Sequence, residues 1–381
     1  MKNLLPFLIL FSTLGTSCQP LKEDQKEVSV EESPRIIIKH SGLFKNYTDE
    51  KLRIADFLEN YFNLMYDSTL EVRNSNWDSK ILSYRQDFFL KGSFEKEFFH
   101  HNPPKILGIR KLKSNSYEVK LEIEQDGFTF KIMNLLVAFD GLDRPYFIDQ
   151  LGENLVEFEQ GETGNLHFLY SKKTTKNDSL EQKMADFNQK TANLFLIPPK
   201  HPSIIVLKDL KDYSEVLGYD YMTFLTYDGQ TGGIAMPNEN ILFSANNSPY
   251  YPHELVHLYT ADHDAHQWFD EGLATYLGGS VEYSLEYHLE KVANAMDSLN
   301  FTILPNQEKL DDDTNTKYTL GGLFCKLAME EYGGREALMK LLNSGKSEKN
   351  FHQALKAVFG IEQEEQADFI QKKLLPYRNK K

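Results

Sequence analysis

The amino-acid sequence predicts an α+β protein with two folded domains, of which the second ends in a mainly helical region. Apolar residues recur every three or four positions between 52 and 65, which is the helical period. Apolar and polar residues alternate between 117 and 132, which is typical of half-buried strands, and the helical period returns from Tyr251 onward. The chain of 381 residues is long enough for two or three domains of about 100 to 200 residues each.

The composition favours a folded protein and argues against polyanionic partners. Hydrophobic residues make up 41% of the chain and aromatic residues 13%, far from the composition of disordered chains. The formal net charge of −14 repels phosphate backbones and anionic lipid surfaces. We therefore expect no nucleic-acid partner, and we expect a monomer.

The first 17 residues have the pattern of a signal peptide, with an apolar run at 4–11 that is too short to span a bilayer. The segment 15–18, Gly-Thr-Ser-Cys, resembles the lipobox at which bacterial lipoproteins are cleaved and acylated. This resemblance implies lipidation of Cys18 and anchoring at the cell envelope, in the outer membrane with a periplasmic or surface-exposed body. Ordinary secretion is the alternative. The polar segment 18–35 predicts a flexible tether.

Residues 36–160 predict an accessory α+β domain. The helix at 52–65 presents one apolar stripe, and Thr48 or Asp49 can cap its start. The two alternating strands that follow flank Asp126-Gly127, a strong hairpin-turn signal. A helix packed on a curved antiparallel sheet resembles the NTF2-like α+β cone, and other α+β modules share the pattern.

Residues 161–381 predict the second domain, in which strands and a helix precede the helical region. No internal repeat is present, which excludes solenoids and propellers. Strands are predicted at 166–170, 203–207 and 221–227, and a helix at 178–196.

The most informative motif is His253-Glu254-Leu255-Val256-His257. Residues four apart lie on the same face of a helix, so both imidazoles can bind one metal ion with Glu254 beside it. Pro252 suits the first helical turn because its missing N–H would have no partner there. This geometry is that of the zincin metallopeptidases.

Glu271, fourteen residues after His257, is the predicted third ligand. Catalytic zinc typically holds three protein ligands and leaves a fourth position for water, so this set predicts one catalytic Zn²⁺ per chain. The intervening run 262–266, Asp-His-Asp-Ala-His, contains residue types that bind metal ions, and we interpret it as a loop. Its His266 is the replacement ligand if Glu271 lies too far away.

The two motifs together resemble the gluzincin metallopeptidases, and more narrowly the bacterial peptidase MA-like group. The resemblance rests on 253–257 and on 270–276, Asp-Glu-Gly-Leu-Ala-Thr-Tyr, and extends from about residue 164 to about residue 345. It implies a zincin-type metallopeptidase domain within 161–381. The spacing from the second histidine to the glutamate is shorter than in M1-type aminopeptidases, so endo- or exopeptidase action is left open.

Each remaining candidate has a chemical role. With zinc polarising the scissile carbonyl, Glu254 would act as the general base. Tyr318 stands before a Gly-Gly helix start, as a tyrosine does in the resembling family, and would stabilise the oxyanion; a plain surface or core tyrosine is the alternative. Asp270 would orient a ligand imidazole, or only cap the helix. An edge strand is predicted to bind the substrate backbone, and its residues are Gly232, Gly233, Ile234 and Ala235. The alternative is that these residues form only a turn and a strand.

The sequence therefore predicts a zinc-dependent peptidase that acts on a peptide or protein substrate at the cell envelope. The alternative is a latent or non-catalytic zincin-fold module that binds a peptide, glycan or protein partner, and the intact Glu254 argues against it. A purely structural zinc is disfavoured because the ligand set leaves an open coordination position. Cys325, the only cysteine besides Cys18, is predicted to be a buried and unreactive thiol.

Overall fold

The computed structural model describes residues 35–42, 46–67, 76–77, 96–112, 115–223, 230–301 and 309–378. The predicted signal peptide, Cys18 and nearly all of the tether lie outside these ranges, within which no helix is both long and apolar enough to cross a membrane. The described residues form two compact units. The first contains those up to Glu157 together with those of Leu210–Gln230, and the second contains Phe158–Asp209 and those from Thr231 onward.

The strands of both units are numbered in chain order. They are β1 Lys39–His40, β2 Lys105–Lys111, β3 Ser116–Gln125, β4 Phe128–Phe139, β5 Pro145–Ile148, β6 Glu159–Thr163, β7 Leu166–Tyr170, β8 Ser203–Leu207, β9 Tyr219–Met222, β10 Gly232–Met236 and β11 Ile241–Ala245.

The α-helices are numbered in the same way. They are α1 Asp49–Asp67, α2 Lys96–His101, α3 Gln150–Leu155, α4 Asp178–Phe195, α5 Leu210–Val216, α6 Pro252–Thr260, α7 Gln267–Gly278, α8 Leu285–Ala295, α9 Thr316–Glu330, α10 Arg335–Leu342, α11 Glu348–Phe359 and α12 Gln366–Leu374.

Helix α1 confirms the apolar stripe predicted in the first unit. Asp49 and Glu50 lie in its first turn, where the helix dipole favours negative charge. Aromatic rings extend this core: Trp77 stacks on Phe147 with ring centroids 4.3 Å apart, and its Nε1 donates to the hydroxyl of Tyr61 over 2.6 Å. Leu52, the first residue of the predicted stripe, is 36% exposed, which corrects the prediction there. The buried residues of this helix face are Ala55, Leu58, Phe62 and Met65 of the stripe, with Ile54 and Tyr61 beside them.

The sheet of the first unit has the order β1-β2-β3-β4-β5, and β9 also pairs with β4. The predicted hairpin is confirmed by the β3–β4 pairing, and Asp126 and Gly127 turn the chain with φ of 52° and 79°. The sequence places the strand 221–227 in the second domain, which is wrong: β9 begins at Tyr219 and belongs to the first unit, and residues 224–227 lie outside the described residues. Local periodicity identifies a strand but carries no signal for its pairing partner.

Lys131 lies on the inner face of β4 and is 1% exposed, with its Nζ 6.0 Å from the ring centroid of Tyr219. Burial lowers the pKa of this lysine from 10.5 to about 7. Between pH values of about 7 and 10.5, Lys131 holds a proton in the unfolded chain but not in the folded chain. The free energy of unfolding therefore rises with pH by up to about 1.4 kcal/mol per pH unit. We expect Lys131→Met to remove this slope in urea unfolding at pH 7, 8 and 9.

Lys120→Met is the matched control, because Lys120 lies on β3 in a partly exposed ion pair with Asp220. We expect the control to keep the pH slope of the wild-type protein. The same pH dependence in the Lys131→Met protein and the wild-type protein would contradict the prediction.

The sheet of the second unit has the order β10-β11-β8-β7-β6. Strands β7 and β8 match the predicted strands, and α4 ends one residue before its predicted end. Strands β7, β8 and β11 are parallel neighbours, whereas β10 runs antiparallel to β11, with Gly233 opposite Ser244. Residues 232–236 therefore form an edge strand.

Helices α7 and α9 cross with their backbones in contact at Gly272 and Gly321. A Cβ atom on Gly321 would lie 1.9 Å from the carbonyl oxygen of Trp268, and one on Gly272 would lie 2.2 Å from the carbonyl carbon of Gly321. Only glycine at both positions permits this approach. Cys325 is fully buried in the same helix pair, and burial raises the pKa of its thiol, which agrees with the predicted unreactive residue.

Candidate metal centre

Helix α6 presents the first part of the candidate site. Pro252 occupies its first turn, and one helical turn separates His253 from His257 on the same face. A metal-capable group of side chains is found here: the donor atoms of His253, Glu254 and His257 all lie within 4.8 Å of one another. The three residues that the sequence predicts from local spacing are thus brought together.

Helix α7 brings Glu271 to the same point. Its Oε2 atom lies 3.3 Å from Nε2 of His253 and 3.6 Å from Nε2 of His257. Glu271 is 4% exposed and His253 is 8% exposed, whereas Glu254 and His257 are half-buried, so the group is only partly open to solvent. Helix α7 packs against α6. The sequence does not determine the distance from Glu271 to the two histidines, and in the structure that distance is short.

The hydrogen bonds of the two imidazoles define which nitrogen faces the site. Nδ1 of His253 lies 2.7 Å from the carbonyl oxygen of Gly279, and Nδ1 of His257 lies 3.3 Å from Oδ1 of Asp270. Carbonyl and carboxylate oxygens accept hydrogen bonds, so both Nδ1 atoms donate. Both Nε2 atoms therefore face Glu271, and Asp270 lies where one of its two predicted roles, orienting a ligand imidazole, requires it.

These donors fit a zinc ion. In tetrahedral zinc with bonds of about 2.0 to 2.2 Å, two ligand atoms lie about 3.4 Å apart, which matches the separations of Glu271 Oε2 from the two Nε2 atoms. Two imidazole nitrogens and one carboxylate oxygen also form a donor set that catalytic zinc prefers. Glu254 is the other carboxylate in reach, but its Oε2 accepts the N–H of Ala235 over 2.9 Å. We therefore assign Glu271 as the carboxylate suited to the third ligand position.

The charges of the group compensate one another. Burial opposes ionisation of Glu271, but the imidazoles of His257 and His253 outweigh it and hold the pKa of this carboxyl well below its ordinary range. Burial likewise lowers the pKa of His257, but Asp270 and Glu271 outweigh it and raise that pKa well above the ordinary value. Binding of a dication to neutral imidazoles therefore releases protons, and metal affinity falls at low pH.

Two tyrosines border the group. Tyr318, a sequence candidate, stacks on His253 with ring centroids 6.3 Å apart, and burial together with the charges of Glu271 and Glu254 raises the pKa of its hydroxyl. Tyr251 is not among the sequence candidates, although it lies two residues before His253. A Cβ atom on Gly233 would overlap the Tyr251 ring at 1.7 Å, so glycine is required where the ring covers the edge strand.

The edge strand β10 contacts the site through Glu254. Because the N–H of Ala235 donates to this carboxylate, it points away from β11. Gly233 is two residues away, so its backbone N–H and C=O point the same way. Gly233 and Ala235, two of the four predicted residues, therefore direct their backbone groups to the side of β10 that faces the candidate base, where Glu254 already accepts the N–H of Ala235.

A buried histidine supports the loop that holds His253. His288 of α8 is 1% exposed, and its Nε2 donates to the carbonyl of Ser280 over 2.9 Å, one residue after Gly279. Its Nδ1 accepts from the hydroxyl of Thr314 over 3.0 Å, and Asn315 then caps α9. This link between the His253 loop and the helix of Tyr318 has no signature in the sequence, because it joins three distant segments.

Two other sequence candidates lie apart from this group. His266 caps α7, where its Nδ1 accepts the N–H of Trp268 over 3.3 Å, and its ring packs on Phe351 with centroids 5.0 Å apart. Burial lowers the pKa of His266 to about 4. His263 contacts Asn343 through Nδ1 over 2.9 Å. Neither histidine joins the donors around Glu271.

A scan against protein-family models finds no match, and a search of curated proteins finds no similar sequence. The functional argument therefore depends on the residues and their geometry.

Proposed function

We propose that this protein is a zinc-dependent peptidase of the gluzincin type, with the zinc ligands His253, His257 and Glu271. The observation that carries the proposal is the convergence of two Nε2 atoms and one buried carboxylate oxygen at ligand spacing, beside a second carboxylate that is free of that set. A structural zinc site has no use for this second carboxylate. The mixed sheet with an edge strand beside the α6 motif supports a zincin-type domain.

The chemistry follows from the position of each side chain. A zinc ion in this site supplies a Lewis acid that polarises the scissile carbonyl and makes water a better nucleophile near neutral pH. Glu254 accepts the proton of the attacking water and then delivers it to the leaving amine. Tyr318 keeps its proton, since its pKa is raised, and donates a hydrogen bond to the oxyanion that develops on the carbonyl oxygen.

The substrate backbone binds along the outer side of β10. The backbone N–H and C=O of Gly233 and the C=O of Ala235 pair with an extended peptide irrespective of its side chains, while the N–H of Ala235 stays bound to Glu254. The substrate is therefore a peptide or an unfolded protein segment. With the predicted signal peptide and lipidated Cys18, the enzyme acts at the cell envelope.

The proposal is tested by mass-spectrometric mapping of cuts in a broad peptide pool. Protein that starts at residue 19 is used with one zinc per chain, after removal of zinc by a chelator, and after zinc is added back. We expect cuts from the first and third samples only, and at least about a hundredfold fewer from the second.

The same preparation treated with Mg²⁺ instead of zinc is the control, because a site with two imidazoles binds magnesium poorly. Equal cutting after chelation, with zinc loss verified, would overturn the proposal. No cutting by protein that holds one zinc per chain would favour the binding-module alternative.

A further inference from the structure

Lys317 is a half-buried cation near the candidate metal centre. It is the second residue of α9, directly before Tyr318, and its Nζ donates to Oε1 of Gln267 over 2.7 Å. Among the described residues no carboxylate lies within ion-pair distance of it, although the charge of Glu271 acts on its ammonium from farther away. Its hydrogen-bond partner is thus a neutral amide, which offsets little of the penalty for removing an ammonium group from water.

Several other half-buried lysines of the same unit form ion pairs with carboxylates. The half-buried lysines that pair with a carboxylate are Lys200, Lys291, Lys326 and Lys373. Lys309 resembles Lys317 because it is also half-buried, and no ion pair is found for it among the described residues. Lys317 differs from Lys309 in its position, because it directly precedes Tyr318 and is held by Gln267 of α7.

The position of Lys317 relative to the metal centre follows from helix geometry. Gln267 and Glu271 are four residues apart in α7 and therefore lie on the same face, one turn from each other. Gln267 holds the ammonium of Lys317 one turn away from Glu271, and the lysine side chain is partly exposed to solvent. On the other side, Tyr318 stacks on His253. The cation thus lies about one helical turn from the carboxylate that would bind zinc.

We infer that Lys317 binds a carboxylate of the substrate, either the C-terminal α-carboxylate or an acidic side chain. The inference rests on the proposed peptidase function and names its substrate class. An overall charge of −14 repels anionic peptides, so their binding requires a local cation at the cleft. Gln267 holds the ammonium in place, and a substrate carboxylate supplies the ion-pair partner that the chain leaves out.

The test compares four peptides of one sequence, with Glu or Gln at the penultimate position and a C-terminal acid or amide. With the wild-type protein we expect a KM at least about tenfold lower for a peptide that carries the preferred carboxylate than for its neutral counterpart. In Lys317→Met we expect the KM values of these two peptides to become about equal, with the change in KM rather than in kcat. Lys309→Met, which removes the same charge, is expected to keep the ratio.

The four peptides also separate the two sources of the carboxylate. A preference that follows the C-terminus identifies the α-carboxylate, and one that follows Glu against Gln identifies the side chain. Absence of any preference in the wild-type protein would overturn the inference, as would a preference that persists in Lys317→Met.

A binding measurement separates this inference from the proposed function. Fluorescein-labelled versions of the four peptides are titrated with zinc-loaded Glu254→Gln protein and followed by anisotropy, with and without Lys317→Met. Carboxylate-selective binding that needs Lys317 would support the inference even if the wild-type protein cuts nothing. Equal binding of all four peptides, or no binding of any, would contradict it.

Discussion

Replacing Glu254 by glutamine is expected to reduce peptide hydrolysis by about a thousandfold or more, while one zinc per chain stays bound. Glutamine keeps the shape of the side chain but cannot accept a proton from the attacking water. The zinc ligands are untouched, because the Nε2 atoms of His253 and His257 and the carboxylate of Glu271 converge without Glu254. The measurement is kcat/KM on a peptide that the wild-type protein cuts, together with zinc content.

Glu282→Gln is the matched control for this substitution. Glu282 is an exposed carboxylate in the turn that follows Gly279, and its charge acts on Tyr251 at the edge of the site. The substitution Glu282→Gln removes the same charge as Glu254→Gln but does not remove a base. We therefore expect kcat/KM to change at most severalfold. Undiminished hydrolysis by Glu254→Gln would exclude this carboxylate as the base, and loss of zinc from it would mean that Glu254 is a ligand.

Replacing Gly321 by alanine is expected to lower the free energy of unfolding of the second unit by about 4 kcal/mol or more. The added methyl group would lie 1.9 Å from the carbonyl oxygen of Trp268, so α7 and α9 must separate. This contact is backbone against backbone and cannot be relieved by a side-chain rotation. Because α7 carries Glu271, we also expect weaker zinc binding in whatever folded protein remains. Urea unfolding and equilibrium dialysis measure the two effects.

Two glycine substitutions calibrate this result. Gly322→Ala places its methyl group 2.7 Å from Cδ1 of Leu285, which is a flexible side chain, so a smaller loss of stability is expected. Gly108→Ala meets no atom within 4 Å and is expected to change little. Wild-type stability in Gly321→Ala would show that the helices do not cross as closely as described.

The part of the site that could be predicted from sequence is the part with local geometry. His253, Glu254 and His257 lie within one helical turn, so their spacing alone places them together. Glu271 could be proposed from a second motif, but its distance from the histidines depends on how α7 packs against α6 and α9. That packing depends on Gly272 and Gly321, whose contact across the sequence has no periodic signature.

The features that sequence analysis did not predict are all long-range contacts. The carbonyl of Gly279 orients His253, and His288 holds the next residue, Ser280. Both contacts depend on a loop that lies far from the motif in the sequence. The lysine beside the metal centre is also recognisable only once its partners are known, since charge and spacing make Lys317 indistinguishable from a surface residue. In the first unit the pairing of β9 with β4 was missed for the same reason.

The second unit is discontinuous in sequence, and this affects how it can be isolated. A fragment that starts at residue 158 would carry α5 and β9 without β4, the strand with which β9 pairs, and an unpaired strand edge promotes aggregation. The N–H of Leu210 donates to the carbonyl of Gln230 over 2.8 Å, so the two ends of the inserted segment meet. A few glycine and serine residues that join Asp209 to Thr231 can therefore replace the insertion, and the shortened chain keeps every residue of the candidate metal centre.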